Sequence, residues 1–172
     1  MANLNHIEQL IQDLCPSGVD YSTLGEACYI LDSKRKPVSK NARLKGKCPY
    51  YGANGILDYV SGYSFDGTYL LVGEDGSVIN EDNSPVLHWA EGQIWVNNHA
   101  HVLDACCNLS LQYICYFINA ISLAPYVTGT AQPKMNQENM NAIWVPLPPL
   151  AEQKRIVARL EELLSLCEAL KS

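Results

Sequence analysis

The most regular hydrophobic pattern of the chain lies near its C-terminal end, after Pro148 and Pro149. Apolar residues recur there in steps of four and three, which is the spacing of a coiled-coil seam. The seam consists of Ile156, Leu160, Leu163, Cys167 and Leu170, and is widened by Leu164. Because proline is tolerated at the start of a helix but not inside it, the pattern predicts a long helix within residues 148–172. Its apolar face either packs on its own domain or pairs with a partner helix, and periodicity alone favours neither.

A shorter amphipathic pattern near the N-terminus predicts a second helix, within residues 1–17. The apolar residues Ile7, Leu10, Ile11 and Leu14 fall on one helical face. The Cys-Pro-Ser-Gly sequence that follows Leu14 contains the residues that end helices. A helix of about three turns is marginal alone, so we expect it to pack against the C-terminal helix.

Residues 18–147, between the two helices, have the pattern of short strands and turns. An Asn-Gly pair at 54–55 between β-favouring segments predicts a hairpin. Further strands are predicted at 68–72, 77–79, 85–88 and 94–103. One internal helix is predicted after Asn108, with a single apolar face formed by Leu111, Ile114, Cys115, Ile118 and Ile121. The predicted fold class is α+β: a small mixed, mostly antiparallel sheet domain with a short N-terminal helix and a long C-terminal coiled-coil helix.

Length and composition narrow the class of protein. The chain has 172 residues, enough for one domain with an appended helix or two, and its 48% hydrophobic content is ordinary for a globular protein. No run of 18 apolar residues predicts a membrane span, and the N-terminal residues lack the pattern of a signal peptide. The 7 cysteines form no CxxC pair, which fits a reducing compartment. We therefore expect a cytoplasmic protein that does not interact with a membrane.

The charges are distributed unevenly along the chain. The net charge is −6, which by itself argues against nucleic-acid binding. However, seven of the 12 basic residues lie within one short segment that contains no acid: Lys34, Arg35, Lys36, Lys40, Arg43, Lys45 and Lys47. From Cys48 to Pro133 there is no lysine or arginine. Such a cluster on an acidic protein predicts a local anion site, although a solvated charged loop would have the same pattern.

Further side chains could match base edges in duplex DNA. Asparagine and glutamine pair with adenine, arginine and lysine pair with guanine, and tyrosine packs on sugars and thymine methyl groups. The candidates are Tyr50, Tyr51, Asn97, Asn98, His99, His101, Gln132 and Lys134. Together with the seven basic residues they form the predicted DNA-binding set.

The sequence lacks the motifs of several kinds of enzyme. A methyltransferase needs a glycine-rich cofactor loop and an Asn/Asp-Pro-Pro-Tyr/Phe motif, and neither is present. A metal-dependent nuclease needs carboxylates near a lysine, and the acids from Asp58 to Glu91 have no lysine among them. His99 and His101, with Cys106 and Cys107, offer zinc ligands, but zinc sites rarely use adjacent thiols. We expect no catalytic or metal-binding residues, and a small zinc hydrolase is the remaining enzymatic alternative.

The C-terminal sequence PLPPLAEQKRIVARLEELLSLCEAL resembles the conserved-region helix of the specificity subunits of type I restriction–modification systems. Residues 14–26 resemble the beginning of a target-recognition domain in that family. PYYGANGILDYV, FDGTYLLVGEDGSV, WVNNHAHVL and TGTAQPKMNQ resemble further parts of such a domain. Family members usually carry two such domains and two long helices, so this sequence resembles a half-subunit: a recognition domain at 18–147 between a helix at 1–17 and a helix at 148–172.

The resemblance implies a non-catalytic subunit that directs its partners to a bipartite target in double-stranded DNA. Its helices would dock methyltransferase subunits, which methylate adenine, and a restriction subunit would be added for cleavage. S-adenosylmethionine, ATP and Mg²⁺ would belong to those partners, so no cofactor is expected in this chain. A half-subunit would pair with a copy of itself through the C-terminal helix. The alternative is an interaction module that docks methyltransferase subunits and modulates the full-length enzyme without binding specific DNA.

Overall fold

The computed structural model describes residues 6–75, 78–80, 84–129 and 133–170. The helices in these residues are α1 (His6–Leu14), α2 (Leu24–Ala27), α3 (Leu111–Ala120), α4 (Gln137–Asn141) and α5 (Leu150–Ala169). The strands are β1 (Asp20–Thr23), β2 (Cys28–Ile30), β3 (Lys45–Gly52), β4 (Gly55–Val60), β5 (Phe65–Gly73), β6 (Leu87–Val96), β7 (Ala100–Ala105) and β8 (Trp144–Leu147). Short 3-10 helices are formed by Asp32–Lys34, Lys40–Ala42 and Ala124–Tyr126.

Six of these strands form one mixed sheet in the order β2-β7-β5-β6-β3-β4. All neighbouring pairs are antiparallel except β3 and β6, which are parallel. The central strand β5 pairs with β6 along most of its length and with β7 over its second half. The prediction of an α+β fold with a mixed, mostly antiparallel sheet is therefore confirmed.

The predicted hairpin at the Asn-Gly pair is also confirmed. β3 and β4 are joined by Ala53 and Asn54, and Gly55 begins β4 with a φ of +95°. That dihedral angle lies in the left-handed region, which glycine enters without a steric penalty. The local sequence alone is enough to specify this turn.

The prediction of two separate strands at 85–88 and 94–103 is wrong in its boundaries. β6 is one strand of 10 residues from Leu87 to Val96, and the chain turns only at residues 97–99. Glu91, Gly92 and Gln93 are exposed, and their sequence resembles that of a turn between two strands. They lie in the strand because they pair with residues 66–68 of β5, a tertiary contact that the local pattern does not contain.

A separate two-stranded ribbon closes the middle region of the chain. β1 and β8 pair antiparallel from Asp20 opposite Leu147 to Thr23 opposite Trp144. Directly beyond it, the Leu24 amide donates to the Ile143 carbonyl at 2.7 Å. The segment that leads into the sheet and the segment that leads out of it therefore run side by side.

The sheet is covered by apolar side chains on both faces. Leu70 of β5 belongs to the larger core cluster, which also contains Ile7 of α1, Tyr113 of α3 and Ile156 of α5. Leu71 points to the other face and belongs to a smaller cluster with Ile94, because successive strand residues alternate between faces. As expected from the sequence, α1 packs against α5.

Helix α3 buries a slightly different face from the predicted one. Its fully or nearly fully buried residues are Tyr113, Ile114, Phe117 and Ile118. The predicted face residues Leu111, Cys115 and Ile121 are only half-buried. The buried face is therefore rotated about the helix axis relative to the predicted one, toward the large aromatic side chains of Tyr113 and Phe117.

Gln153 fixes the start of α5 to the rest of the fold. Its side chain is fully buried, and its Oε1 accepts from the Ser110 amide at 2.9 Å. Its Nε2 donates to the carbonyls of Asn108 and Pro148, both at 2.8 Å. The hydrophobic pattern of the sequence does not predict this role for a polar residue. Among the described helices, none is long and apolar enough to cross a membrane.

Candidate nucleic-acid interface

The basic segment follows β2 and runs into the first residues of β3, and we call it the basic loop (residues 34–47). The sheet below holds it through its backbone and through two arginines. The Trp95 indole N–H donates to the Lys36 carbonyl at 2.6 Å, and the Val38 amide donates to the Tyr50 hydroxyl at 2.9 Å. These contacts fix the loop on the β3–β6 part of the sheet.

Arg43 holds the second half of the basic loop. Its guanidinium lies 4.2 Å from the centre of the Tyr50 ring, its Nε donates to the Val38 carbonyl at 3.1 Å, and Asp58 lies at 3.6 Å. Lys45 lies 3.0 Å from the same carboxylate. The hydrogen bond from Lys45, together with the Tyr59 amide and Arg43, lowers the pKa of Asp58 below its ordinary value. Arg43 is thus directed inward and partly neutralised.

Arg35 holds the first half of the basic loop and is also directed inward. One guanidinium nitrogen lies 2.6 Å from the Glu74 carboxylate and donates to the Ala100 carbonyl at 2.9 Å. The other nitrogen lies 3.2 Å from Asp32. Only 14% of the Arg35 side chain is exposed. The prediction that Arg35 contacts phosphate is corrected, because its charge is already paired with two buried carboxylates.

His101 lies under Arg35 and is completely buried. Its Nδ1 lies 2.5 Å from Asp32 and its Nε2 lies 2.7 Å from the Met135 carbonyl. Both ring nitrogens are therefore engaged by other groups of the protein, and neither is available to a ligand. Arg35 contacts both Asp32 and Glu74 in the same cluster. The prediction that His101 contacts a base is corrected: it belongs to a buried charge cluster.

Asp32, Glu74 and His101 also form a group that could hold a metal ion among the residues that the structure describes. Arg35 already contacts both carboxylates, so the oxygens that an ion needs are engaged. The thiols considered for zinc lie elsewhere: Cys106 donates to the Ala27 carbonyl at 2.7 Å. The contacts of His101 with Asp32 and with the Met135 carbonyl thus account for its buried position without a metal ion.

His99, Asp75 and Lys134 form an exposed cluster beside the buried one. Lys134 lies 2.9 Å from Asp75, and His99 lies 3.3 Å from it on the other carboxylate oxygen. Burial alone would raise the pKa of Asp75, but the hydrogen bond and charge of Lys134, assisted by His99, outweigh it and lower the pKa. The same hydrogen bond raises the pKa of Lys134. About half of the His99 and Lys134 side chains is exposed, so both can contact a ligand.

The three residues of the turn 97–99 have different positions. Asn97 is buried, and its side-chain oxygen accepts from the His99 amide at 2.8 Å. It therefore shapes the turn, and its prediction as a base contact is corrected. Asn98 and His99 are exposed at the tip of the turn.

Two further predicted contacts are interior residues. Tyr50 is 1% exposed and Tyr51 is 9% exposed, and burial raises the pKa of Tyr51. Both are therefore corrected from base contacts to parts of the core under the basic loop. Gln132 lies outside the described residues.

The lysines of the basic loop are its outward-directed charges. Lys34, Lys36, Lys40 and Lys47 are exposed. No carboxylate among the described residues lies within ion-pair distance of these four. The sequence could not separate them from the two arginines, because two of the three acids that pair with the arginines, Glu74 and Asp58, come after the basic loop in the chain.

The predicted partner face of α5 is divided by the structure. Ile156 is fully buried and Leu160 is partly buried against the chain's own core. The prediction that Ile156 faces a partner is therefore corrected, and Leu160 contributes mainly to its own domain. Beyond Leu160 every described residue of the helix is exposed. The exposed apolar residues, which we call the α5 tip, are Leu163, Leu164, Leu166, Cys167 and Leu170.

Comparisons with known proteins agree on one family. The family model described as the type I restriction modification DNA specificity domain matches residues 16–172. A Haemophilus influenzae protein named as the type I restriction enzyme specificity subunit S.HindORF215P is 35% identical over 164 residues. These residues are 95% of this chain and 41% of that protein. The type I restriction enzyme EcoprrI specificity subunit of Escherichia coli is 25% identical over 122 residues, which are 71% of this chain and 29% of that protein.

Solved structures share the fold. The HsdS subunit from Thermoanaerobacter tengcongensis has a TM-score of 0.68 at 22% identity, covering 96% of this chain and 44% of that one. The S subunit of a type I restriction–modification system from M. genitalium has a TM-score of 0.67 at 16% identity, covering 95% of this chain and 44% of that one. The chain thus spans less than half the length of the relatives that it matches. With a family model that matches nearly all of it, the chain belongs to the type I restriction–modification DNA specificity family.

Proposed function

We propose that this chain is a non-catalytic unit that recognises a specific sequence in double-stranded DNA for a type I restriction–modification complex. The observation that carries the proposal is the division of charge in the basic loop. Its arginines are paired inward with acids, whereas Lys34, Lys36, Lys40 and Lys47 project outward. A fixed loop with free lysines is suited to hold phosphates in a defined register.

Base recognition would come from exposed polar groups next to the loop. Asn98 and His99 lie at the tip of the β6–β7 turn, and Lys134 reaches the same surface through Asp75. Asparagine can pair with adenine and lysine with guanine in the major groove. The buried Asp32–Arg35–Glu74–His101 cluster connects the basic loop to this turn, because Arg35 contacts both Glu74 and the Ala100 carbonyl. Phosphate and base contacts would thus be held on one rigid support.

The partners follow from the helices. We propose that the α5 tip pairs with the same tip of a second copy, and that the pair docks methyltransferase subunits and, for cleavage, a restriction subunit. A two-fold pair presents the same patch from each copy, and exposed leucines on a helix are suited to such a contact. S-adenosylmethionine, ATP and Mg²⁺ would be bound by the partner subunits.

The salt dependence of DNA binding tests this proposal. Replacing Lys34, Lys36, Lys40 and Lys47 with alanine should weaken binding to all duplex sequences alike. The slope of log K against log salt concentration should become shallower by about 0.9 for each phosphate contact that is lost. Fluorescence anisotropy with a labelled duplex over a range of salt concentrations measures this slope.

The matched control is Lys154→Ala, which removes an exposed lysine on α5 that lies outside the basic loop. This variant should keep the wild-type slope. Arg35 is left intact, because its removal would leave the buried carboxylates of Asp32 and Glu74 without their cationic partner and would not remove a phosphate contact. An unchanged slope in the quadruple variant would exclude the basic loop as the phosphate-binding surface.

The second candidate function is an interaction module that modulates the full-length enzyme without binding specific DNA. The observation in its favour is the α5 tip, whose apolar side chains are exposed in a protein with a net charge of −6. The two functions differ in one measurement. An interaction module would bind methyltransferase subunits but show no preference among duplex sequences.

A further inference from the structure

An exposed leucine interrupts the cationic surface of the basic loop. Leu44 lies between Arg43 and Lys45, and 75% of it is exposed. Single exposed leucines are common on protein surfaces, so exposure alone assigns no role to Leu44. Its significance depends on how its backbone and its neighbours are held.

The backbone at Leu44 is fixed on both sides. The Leu44 carbonyl accepts from the Ser61 amide at 2.7 Å. At Gly46 the chain runs so close to β4 that an added Cβ would lie 2.3 Å from the Val60 carbonyl oxygen. Before Leu44, Arg43 is held by the Tyr50 ring and Asp58. Because the residues around it are held inward, Leu44 is presented outward on a rigid support rather than on a mobile loop.

The side chain stands at the edge of a mainly apolar depression. Besides Leu44, the depression is lined by Val38, Tyr50, Val60 and Trp95. Arg43 provides its charged side. Leu44 and the depression together form an apolar contact surface on an otherwise polar loop.

Exposed lysines belong to the same loop as Leu44. Lys36 is joined through its carbonyl to Trp95, which lines the depression, and Lys40, Lys45 and Lys47 are exposed. A loop that offers both cations and an apolar side chain is suited to the major groove of DNA. Phosphates flank that groove, and the C5-methyl of thymine is the apolar group that the bases present in it.

From this geometry we propose that Leu44 is a specificity-determining residue that packs on a thymine methyl group in the major groove. The inference rests on the proposed DNA-recognition function and deepens it. The lysines would set affinity for any duplex, whereas Leu44 would select thymine at the base pair below it. Loss of Leu44 should therefore lower specificity and leave the salt dependence unchanged.

The test compares thymine with deoxyuridine, which lacks only the methyl group. The target is first selected from random duplexes with the wild-type protein, and each thymine in it is then replaced singly by deoxyuridine. In the wild type, one replacement in each half-site should weaken binding about fourfold, since a buried methyl-sized group contributes roughly 0.8 kcal/mol. The Leu44→Ala variant should bind the thymine and deoxyuridine duplexes equally.

Two further variants complete the experiment. Ile56→Ala removes another exposed apolar side chain, 47% exposed, near the start of β4 and outside the basic loop, and should keep the wild-type pattern. Leu44→Gln preserves side-chain length but not apolar character, and should lose the discrimination as Leu44→Ala does. Thermal unfolding of each variant checks that the fold is retained.

The outcomes separate this inference from the proposed function. A Leu44→Ala protein that discriminates as the wild type does would overturn the inference, as would a wild type insensitive to every deoxyuridine. In both cases salt-dependent duplex binding by the wild type would still support DNA recognition. A wild-type protein that binds no duplex at all would overturn both the Leu44 inference and the proposed function. The basic loop would then be expected to bind an acidic protein surface.

Discussion

His99 and His101 are two positions apart but have opposite environments. His99 is half exposed and contacts Asp75, whereas His101 is completely buried between Asp32 and the Met135 carbonyl. Alternation along a strand would place both on one face, which the structure does not show, because His99 belongs to the turn and only His101 to β7. His101 therefore supports the fold, whereas His99 is exposed enough to contact a ligand.

Replacing His101 with alanine should lower the free energy of unfolding by about 2–4 kcal/mol, because it would leave a buried cavity and remove one of the hydrogen-bond partners of the buried Asp32. Replacing His99 with alanine should change that free energy by less than about 0.5 kcal/mol, as expected for an exposed position, while weakening DNA binding. Urea unfolding and duplex titration on both variants measure the two effects. Equal destabilisation by the two substitutions would contradict the assignment of the buried cluster as the support.

Asp75 provides a pH-dependent prediction. Its pKa is lowered in the folded state, mainly by Lys134 against the effect of burial. A carboxyl group of this kind stabilises the fold above its unfolded pKa of about 3.9, and the contribution is lost as the pH falls through the lower folded value. In the Lys134→Ala variant the pKa of Asp75 should rise and the acid dependence of stability should become weaker. A carboxyl NMR titration measures the shift, and Lys45→Ala, which removes a partner of Asp58, should leave Asp75 unchanged.

At the scale of the elements, the sequence predicts what local contacts determine. The α5 periodicity and the Asn-Gly hairpin depend on residues within a few positions of one another, and both are present in the structure. Arg35 is different: one of the two carboxylates with which it pairs, that of Glu74, lies 39 residues away. Its position among the seven basic residues of the basic loop predicts a phosphate contact. Only the folded structure shows that the Arg35 charge is paired with carboxylates of the same chain.

The seam of α5 shows the same limit within one helix. Ile156 and Leu163 occupy equivalent places in the predicted repeat, yet Ile156 is 0% exposed and Leu163 is 37% exposed. The repeat specifies an apolar stripe but not where the domain that covers it ends. The sheet domain and α1 cover the stripe up to Leu160, and the rest remains available to another chain.

The α5 tip should mediate self-association. Replacing Leu163 and Leu170 together with aspartate would place unpaired charges in the buried contact, which is strongly unfavourable, and should convert a dimer into monomers. Because both positions are exposed in the single chain, the fold should be retained. Sedimentation equilibrium measures the mass of each form.

The control for this prediction is Ser165→Asp, which adds a charge at an exposed polar position of the same helix and should leave the dimer intact. A wild-type protein that is monomeric at tens of micromolar would contradict self-association. The α5 tip would then be free to bind a methyltransferase subunit instead.

At the scale of the whole molecule, the proposed pairing would determine the form of the DNA target. An antiparallel pair would place one recognition unit at each end of the paired α5 tips. Two-fold pairs of DNA readers bind two half-sites in inverted orientation. Two identical units should therefore select an interrupted inverted repeat.

Selection of binding sites from random duplexes tests this expectation. The wild type should enrich two inverted copies of one half-site, and the Leu163→Asp, Leu170→Asp variant should enrich a single copy. Enrichment of two unrelated half-sites by the wild type would contradict a symmetric pair.

The ribbon of β1 and β8 has a consequence for recombination between related genes. Because Asp20 lies opposite Leu147 and Thr23 opposite Trp144, two crossovers placed in these strands would exchange everything between them as one closed unit. The incoming segment brings its own α3, and the Tyr113 hydroxyl of that helix donates to the Pro146 carbonyl at 2.9 Å. An exchange could therefore replace the proposed DNA-contacting loops, provided that α3 keeps the surface that packs against α1 and α5.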